Sequence, residues 1–325
     1  MRRYCTNLAT TRDRSHGCVK TEPFKLKRLR SVFSQRASGR YVLALLVLLS
    51  GSAPADAQPK ETLIWLLRDL PPLTIFEGPE KGKGVVDQLI PSLIAGMPQY
   101  NHTLMRVNRA RSLQMLREES FTCDPSLVWS KEREAWMVFS TPVFRIVSNG
   151  ITVRQDAKRQ LEPYLVNGEV DVAALLASGT QKVGAVAGRS YGQLLDAQLT
   201  EAPADTVIEH YGNDALGSLL QMQRLGRLIG VMGYWPEIRY LAQQEQIAAD
   251  ELTFYPAMGT DKYITTYIAC SNTAQGRRAI SEINQVLRTL PHDHLVEAYA
   301  KWLDPERRVE YLEETRAFFQ QRAGQ

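Results

Sequence analysis

Short apolar runs alternate with amphipathic segments over most of the chain. The run 63–67 is apolar enough for a buried strand, and the stretch 85–95 has its apolar residues at helical spacing. Strands that alternate with helices of ten to fifteen residues are typical of α/β proteins with parallel sheets. The pattern predicts the first strands at 62–68, 102–107 and 121–128, and the first helices at 85–95 and 109–118.

The same alternation continues to the end of the chain. A series this long is more than one sheet can accommodate, so it predicts two lobes of three-layer α/β type with a ligand cleft between them. Further strands are predicted at 144–153, 182–187, 206–210, 228–232, 252–255 and 263–270, and helices at 170–177, 192–199, 214–224, 234–243, 274–290, 292–302 and 305–321.

The first 57 residues have the features of a secretory signal peptide. A short apolar run at 41–50 follows Arg36 and Arg40, and the tripeptide 55–57 reads Ala-Asp-Ala. A membrane anchor is the alternative, but the run is much shorter than the ~18–20 apolar residues that span a bilayer. We expect cleavage after Ala57 and a periplasmic protein. The long basic stretch before the run is either an extended leader or lies upstream of a true start near Val32.

The charge distribution separates this leader from the rest. Residues 1–57 hold 11 Lys/Arg and 3 Asp/Glu, which leaves 28 and 32 of the chain's 39 and 35 for the remaining residues. A mildly acidic body excludes nucleic-acid binding through phosphate neutralisation and a polybasic surface for anionic lipid.

Two of the four cysteines, Cys123 and Cys270, lie after the leader. An even number of cysteines in an oxidising compartment suggests one disulfide bond. Two separate buried thiols are the alternative, since free cysteine is often buried.

Three stretches resemble family 3 of the bacterial extracellular solute-binding proteins, which have the type II periplasmic-binding fold. They are Pro-Pro-Leu-Thr-Ile-Phe at 71–76 with the glycine-led helix at 84–89, the segment 130–144, and the strand–glycine–helix turn at 183–191. The segment 130–144 is the most specific, since it resembles the family's T-x-x-R and F-S-x-P-Y motifs. The similarity is greatest to an uncharacterised proteobacterial subgroup.

The resemblance implies a discontinuous first lobe at 58–148 and 255–325, with the second lobe at 149–254. The chain would cross the hinge twice, and the protein would be a monomer. Both cysteines would then lie in the first lobe, where Cys123–Cys270 would link its two separate segments.

The resemblance also implies where the ligand binds from the first lobe. Arg133 occupies the position of the arginine that holds the ligand's carboxylate, and a guanidinium matches a carboxylate bidentately. Ser130 would hydrogen-bond the ligand, or would cap a helix instead. Trp129 is the best-placed aromatic residue for stacking. The alternative for Arg133 is a solvated side chain between Glu132 and Glu134.

The second lobe would contribute the turn of Gly188, Arg189, Ser190 and Tyr191. A glycine after a strand frees backbone N–H groups at a helix N-terminus, and these favour anions. An ordinary strand-to-helix turn is the alternative. Such a cleft lies outside the carboxyl ends of the strands, where open α/β sheets bind ligands.

Two positions depart from the family's pattern. Ile229 stands where relatives that bind amino acids carry an Asp for the ligand amine, and Leu73 stands where an aromatic residue often follows Pro-Pro. Asp214 or Glu237 could replace the missing acid. A buried ammonium without a partner is costly, so these departures count against a standard amino acid as ligand.

The sequence predicts a binding protein and not an enzyme, since it lacks H-E-x-x-H, Walker A and nucleotide-binding glycine motifs. No cofactor or metal is expected, because the pair His292 and His294 has no evident third ligand. We expect a small polar or anionic solute, with an inner-membrane ABC permease or a sensor as partner. The alternatives are a cyclohexadienyl-dehydratase-like enzyme and a ligand-independent module of a membrane signalling protein.

Overall fold

A computed structural model describes residues 59–323 of the chain. The predicted signal peptide, its cleavage site after Ala57 and the alternative start near Val32 lie outside these residues. None of the helices described is both long enough and apolar enough to cross a bilayer.

The strands follow the predicted alternation closely, apart from two unpredicted elements and one predicted strand that is divided in two. The short strand at 137–139 and the small hairpin at 165–170 were not predicted, because two or three residues are too few to show a period. The strands are β1 (Thr62–Leu67), β2 (Asn101–Arg106), β3 (Thr122–Val128), β4 (Met137–Phe139), β5 (Phe144–Val147), β6 (Asn149–Arg154), β7 (Leu165–Val166), β8 (Glu169–Val170), β9 (Val183–Val186), β10 (Val207–His210), β11 (Gly230–Tyr234), β12 (Leu252–Pro256) and β13 (Tyr263–Ser271).

The helices begin and end within two residues of their predicted bounds, apart from one unpredicted turn at 158–161. They are α1 (Val85–Gly96), α2 (Arg109–Arg117), α3 (Lys158–Leu161), α4 (Val172–Ala177), α5 (Gln193–Glu201), α6 (Ala215–Arg224), α7 (Trp235–Gln244), α8 (Ala274–Thr289), α9 (His292–Ala300) and α10 (Pro305–Ala323).

Two large sheets form the framework. The first has the order β2-β1-β3-β13-β4, with β5 also paired to β13, and the second has the order β10-β9-β11-β6-β12. In the first sheet every strand but β13 runs in the same direction, and in the second every strand but β6 does so. Each sheet is therefore mostly parallel, as predicted.

The chain passes from the first sheet to the second at Ser148 and returns between Pro256 and Tyr263. The prediction of one long strand at 144–153 was wrong, because the ladder changes sheets in its middle. Ser148 donates its N–H to the Lys262 carbonyl oxygen, whereas Asn149 already pairs with β11. The segment is apolar on both sides of Ser148, so its hydrophobicity does not mark the change.

Apolar residues cover both faces of each sheet. On the first sheet, α1, α8, α9 and α10 pack around Trp65, Phe144 and Tyr299, and a smaller cluster with α2 covers the other face. On the second sheet, α4 and α5 cover one face, and α6 and α7 cover the other. This arrangement confirms two three-layer α/β lobes.

The disulfide bond between Cys123 and Cys270 is confirmed. The two residues face each other in the antiparallel pair of β3 and β13, and both are fully buried. Their sequence separation is 147, so the bond links the first segment of this sheet to the strand that returns from the second sheet.

Candidate functional site

The loops after β1 and β2 bring charged side chains to the edge of the first sheet that faces the second. Arg68 follows β1 directly, and its buried guanidinium donates to both carboxylate oxygens of Asp124 on β3, at 2.8 and 3.1 Å. Ser112 donates to the same carboxylate at 2.7 Å. The Nη1 of Arg68 is buried and has no hydrogen-bond partner within residues 59–323.

Arg133 lies in a single turn of 3-10 helix after β3 and is 7% exposed. Its Nη1 donates to the Val128 carbonyl oxygen at 2.9 Å, and its Nη2 donates to the Gly188 carbonyl oxygen at 3.2 Å. The second bond joins the two lobes. Burial lowers the pKa of Arg133 from its ordinary value. The solvated alternative for this arginine is therefore wrong.

The predicted turn of the second lobe follows β9 and faces Arg133. Gly188 has a φ of 67°, in the left-handed region that glycine adopts without strain. The next side chain, Arg189, forms a bidentate ion pair with Glu237, with both bonds at 2.7 Å. Burial opposes the charge of Arg189, but Glu237 outweighs it, and the pKa of Arg189 is raised. The Nε of Arg189 has no partner among the described residues.

Ser190 and Tyr191 support this turn from within the second lobe. The Ser190 hydroxyl and the Tyr191 N–H donate to the two carboxylate oxygens of Asp196, at 2.5 and 2.7 Å. The Tyr191 hydroxyl accepts the Val186 N–H at 2.7 Å, and burial raises the pKa of Tyr191 to about 12. The ring of Tyr191 belongs to the apolar core.

Trp129 is not brought to the cleft in this conformation. It is 39% exposed and donates its indole N–H to Glu134 at 2.9 Å. Ser130, by contrast, lines a cavity together with Arg133.

Two cavities lie between the lobes. The Arg133 cavity, of about 630 Å³, is lined by Ser130 and Arg133 from the first lobe and by the turn 188–191 from the second. The Arg109 cavity, of about 330 Å³, is lined by Arg68 and Arg109 from the first lobe and by residues after β9 and β10 from the second. Arg189 contributes to both. The two cavities therefore share a wall at Arg189.

Arg109 was missed by the sequence reasoning. It is half-buried at the first position of α2, directly after the capping residue Asn108. Within residues 59–323 its guanidinium has no hydrogen bond and no ion pair. Burial lowers its pKa well below the ordinary value, and the charges of Arg68, Arg189 and Arg133 lower it further. Its place after a parallel strand, where open sheets bind ligands, was the available signal.

The lining of the Arg109 cavity also includes acidic residues. Among them are Asp69, Glu77 and Asp214. Arg106 forms ion pairs with Asp69 and Glu77, both at 2.9 Å. Burial raises the pKa of Asp69 and of Asp214.

The two residues that depart from the family's pattern lie in apolar cores, and their possible acidic replacements differ in their partners. Ile229 is buried in the core of the second lobe, and Leu73 is buried in the core of the first. Of the two possible replacements for the missing acid, Glu237 forms an ion pair with Arg189. Only Asp214 lines a cavity without a bidentate cation partner in the part of the chain described.

A second set of contacts joins the lobes away from the cavities. Arg239 on α7 pairs with Asp304 and donates to the Trp302 carbonyl oxygen at 2.7 Å, and the Trp235 indole donates to Asp304 at 3.2 Å. Asp304 lies just before α10, so these bonds connect the second lobe to the helical layer of the first.

No protein-family model matches the chain, and no curated protein matches it. Solved structures do. The Bordetella pertussis BvgS periplasmic VFT2 domain is 18% identical with a TM-score of 0.55, covering 74% of this chain and 93% of that one. A histidine kinase sensor domain with similarity to periplasmic binding proteins is 14% identical with a TM-score of 0.59, covering 75% and 96%.

An amino acid ABC transporter substrate-binding protein, AbpA from Streptococcus pneumoniae, bound to L-arginine, is 14% identical with a TM-score of 0.55, covering 75% of this chain and 97% of that one. The fold is that of a two-lobed periplasmic binding protein. This finding confirms the predicted fold class. At such identities the similarity concerns the fold, and the chemistry must come from the cleft of this chain.

The described residues offer no evident metal site. No group of three or more His, Cys, Asp or Glu side chains within 59–323 is arranged to hold an ion. His292 stacks on Phe319 with ring centroids 4.4 Å apart.

Proposed function

We propose that this protein is a periplasmic solute-binding protein of extracellular family 3, from the proteobacterial subgroup that its motifs resemble. It closes on a small polar solute that carries a carboxylate. One observation supports this function above the others: guanidinium groups from both lobes line the cleft, and two of them, Arg109 and Arg133, have no carboxylate partner among the described residues.

Arg133 and Ser130 hold the carboxylate from the first lobe, and the turn 188–191 contacts it from the second. The bond from Arg133 to the Gly188 carbonyl supports this assignment, since it shows that one guanidinium reaches both lobes. A solute bound there interacts with both lobes at once only when they are together. Its differential affinity for that state drives closure.

The protein is exported by its signal peptide and delivers its solute to an inner-membrane ABC permease or reports it to a sensor. The similar structures support both destinations, since they include a transporter substrate-binding protein and a histidine kinase sensor domain. The protein acts by binding and not by catalysis, because hinge closure needs no covalent step.

A thermal-shift screen against carboxylates, amino acids and amines tests this function. A solute at 100 times its Kd stabilises the folded protein by about 2.7 kcal/mol. We expect carboxylates to stabilise the protein without being converted, which mass analysis of the solute after incubation would show. Turnover of a cyclic acid would identify an enzyme instead.

Arg133→Ala is expected to weaken binding of the best solute at least about tenfold, because a charged hydrogen bond in a buried site contributes more than 1.4 kcal/mol. Calorimetric titration measures the change. Arg117→Ala is the matched control, since Arg117 is an exposed arginine that pairs with the same segment through Glu132. Unchanged affinity in a folded Arg133→Ala protein would disprove the assignment.

A further inference from the structure

Four arginines line the Arg109 cavity, namely Arg68, Arg106, Arg109 and Arg189, and three of them pair with carboxylates. Arg106 pairs with Asp69 and Glu77. Asp124 pairs with Arg68, and Glu237 pairs with Arg189. The charge of Arg109 remains without a counterion among residues 59–323. Folding has therefore placed the cation of Arg109 near those of Arg68 and Arg189. A bound anionic ligand stabilises such an arrangement.

Free donors accompany this excess charge. The Nη1 of Arg68 and the Nε of Arg189 are buried without a partner, although buried N–H groups are nearly always hydrogen-bonded. Both side chains line the same cavity as Arg109. The cavity thus combines one unneutralised charge with two unused donors, as an oxyanion requires.

The Arg133 cavity, which shares Arg189 with the Arg109 cavity, is lined by a second guanidinium without a carboxylate partner. Arg133 donates to two carbonyl oxygens and forms no ion pair within the described part of the chain. Four acids also line this cavity, namely Glu132, Asp196, Asp205 and Glu209, and none of them forms an ion pair with Arg133 in residues 59–323. Glu132 pairs with Arg117, and both carboxylate oxygens of Asp196 accept bonds from Ser190 and Tyr191. Each cavity therefore has one cationic side chain available to a ligand.

We propose that Arg109, with the free donors of Arg68 and Arg189, forms a second anion subsite, so that the solute carries two carboxylate groups, one held at Arg109 and one at Arg133. This inference rests on the proposed function. One arginine without a carboxylate partner at each subsite matches a carboxylate better than a phosphate, which carries about −1.5 to −2 at neutral pH. Asp69 and Glu77 pair with Arg106, and the Arg133 cavity shares Arg189 with the Arg109 cavity, so the solute extends from Arg109 toward Arg133.

The test compares succinate, glutarate and adipate with their monoamides by calorimetric titration of the purified protein. We expect at least one dicarboxylate to bind about tenfold or more tightly than its monoamide, since the amide lacks the second charge. Arg109→Gln should abolish this preference by weakening the binding of the dicarboxylate. Arg133→Ala should weaken both compounds.

Arg111→Gln is the matched control, because Arg111 is an exposed arginine on the same helix and pairs with Glu118. It should retain the full preference. Thermal unfolding without solute checks the fold. Arg109→Gln should unfold at the same temperature as the wild type or higher, because the substitution removes repulsion between like charges.

The possible failures are distinguishable. If the wild type binds a dicarboxylate and its monoamide equally, or if Arg109→Gln keeps the preference, the second subsite is overturned while the proposed function stands. If neither dicarboxylates nor monoamides bind and no carboxylate stabilises the protein, both proposals are overturned.

Discussion

Glu237→Ala is expected to destabilise the folded protein by about 3–5 kcal/mol, because it leaves the charge of Arg189 buried without its counterion. The side chains of Arg189 and Glu237 are only 5% and 4% exposed, and they share two bonds of 2.7 Å. Urea unfolding of the variant and the wild type, without solute, measures the difference.

The double variant Arg189→Leu/Glu237→Leu separates the lost ion pair from a loss of packing. Replacing a buried pair by apolar residues of similar size is often neutral or stabilising, so the double variant should be clearly more stable than Glu237→Ala. Glu314→Ala, which removes an exposed partner of Lys262, should change little. If Glu237→Ala were as stable as Glu314→Ala, the pair would not have the role assigned to it.

Cys123→Ala/Cys270→Ala is expected to lower the free energy of unfolding by about 4–5 kcal/mol. In the chain-entropy model a disulfide stabilises by restricting the unfolded chain, and the loop closed here spans a sequence separation of 147. The folded sheet should be unaffected, because β3 and β13 remain paired by their own backbone hydrogen bonds. Urea unfolding, followed by circular dichroism, gives the difference.

The wild type unfolded in the presence of a reductant provides the control, and it should match the double variant. A further check is solute binding, which should be retained because the bond lies inside the sheet and lines neither cavity. An unchanged urea midpoint in the double variant would show that the unfolded chain is already compact without the bond.

The strands and helices were predictable because the spacing of apolar residues that specifies them lies within each short segment. Apolar periodicity placed β1, α1 and most later elements within a few residues. The resemblance to a known family, and not periodicity, pointed to Arg133 and to the turn 188–191, and the structure places both beside one cavity. The number of cysteines after the predicted leader, together with the expected export, favoured a bond between Cys123 and Cys270 over two separate thiols, and the structure contains that bond.

The charge pairing in the cleft was not predictable in this way. Arg68 and Asp124 are 56 positions apart, and Arg189 and Glu237 are 48 apart, so no spacing rule connects them. Arg109 looked like any residue at the start of an amphipathic helix. Its significance depends on which neighbouring carboxylates are already occupied, and that depends on the contacts of the whole fold.

The sequence by itself determined the order of strands and helices, the α/β class and the residues available for a disulfide, because hydrophobic periodicity and composition act over short stretches. Only the tertiary structure decided that the chain changes sheets at Ser148, that Ile229 lies in a core, and that Arg109 and Arg133 remain without carboxylate partners among the described residues. The physical reason is that the charge balance of a buried site is set by groups brought together from distant parts of the chain.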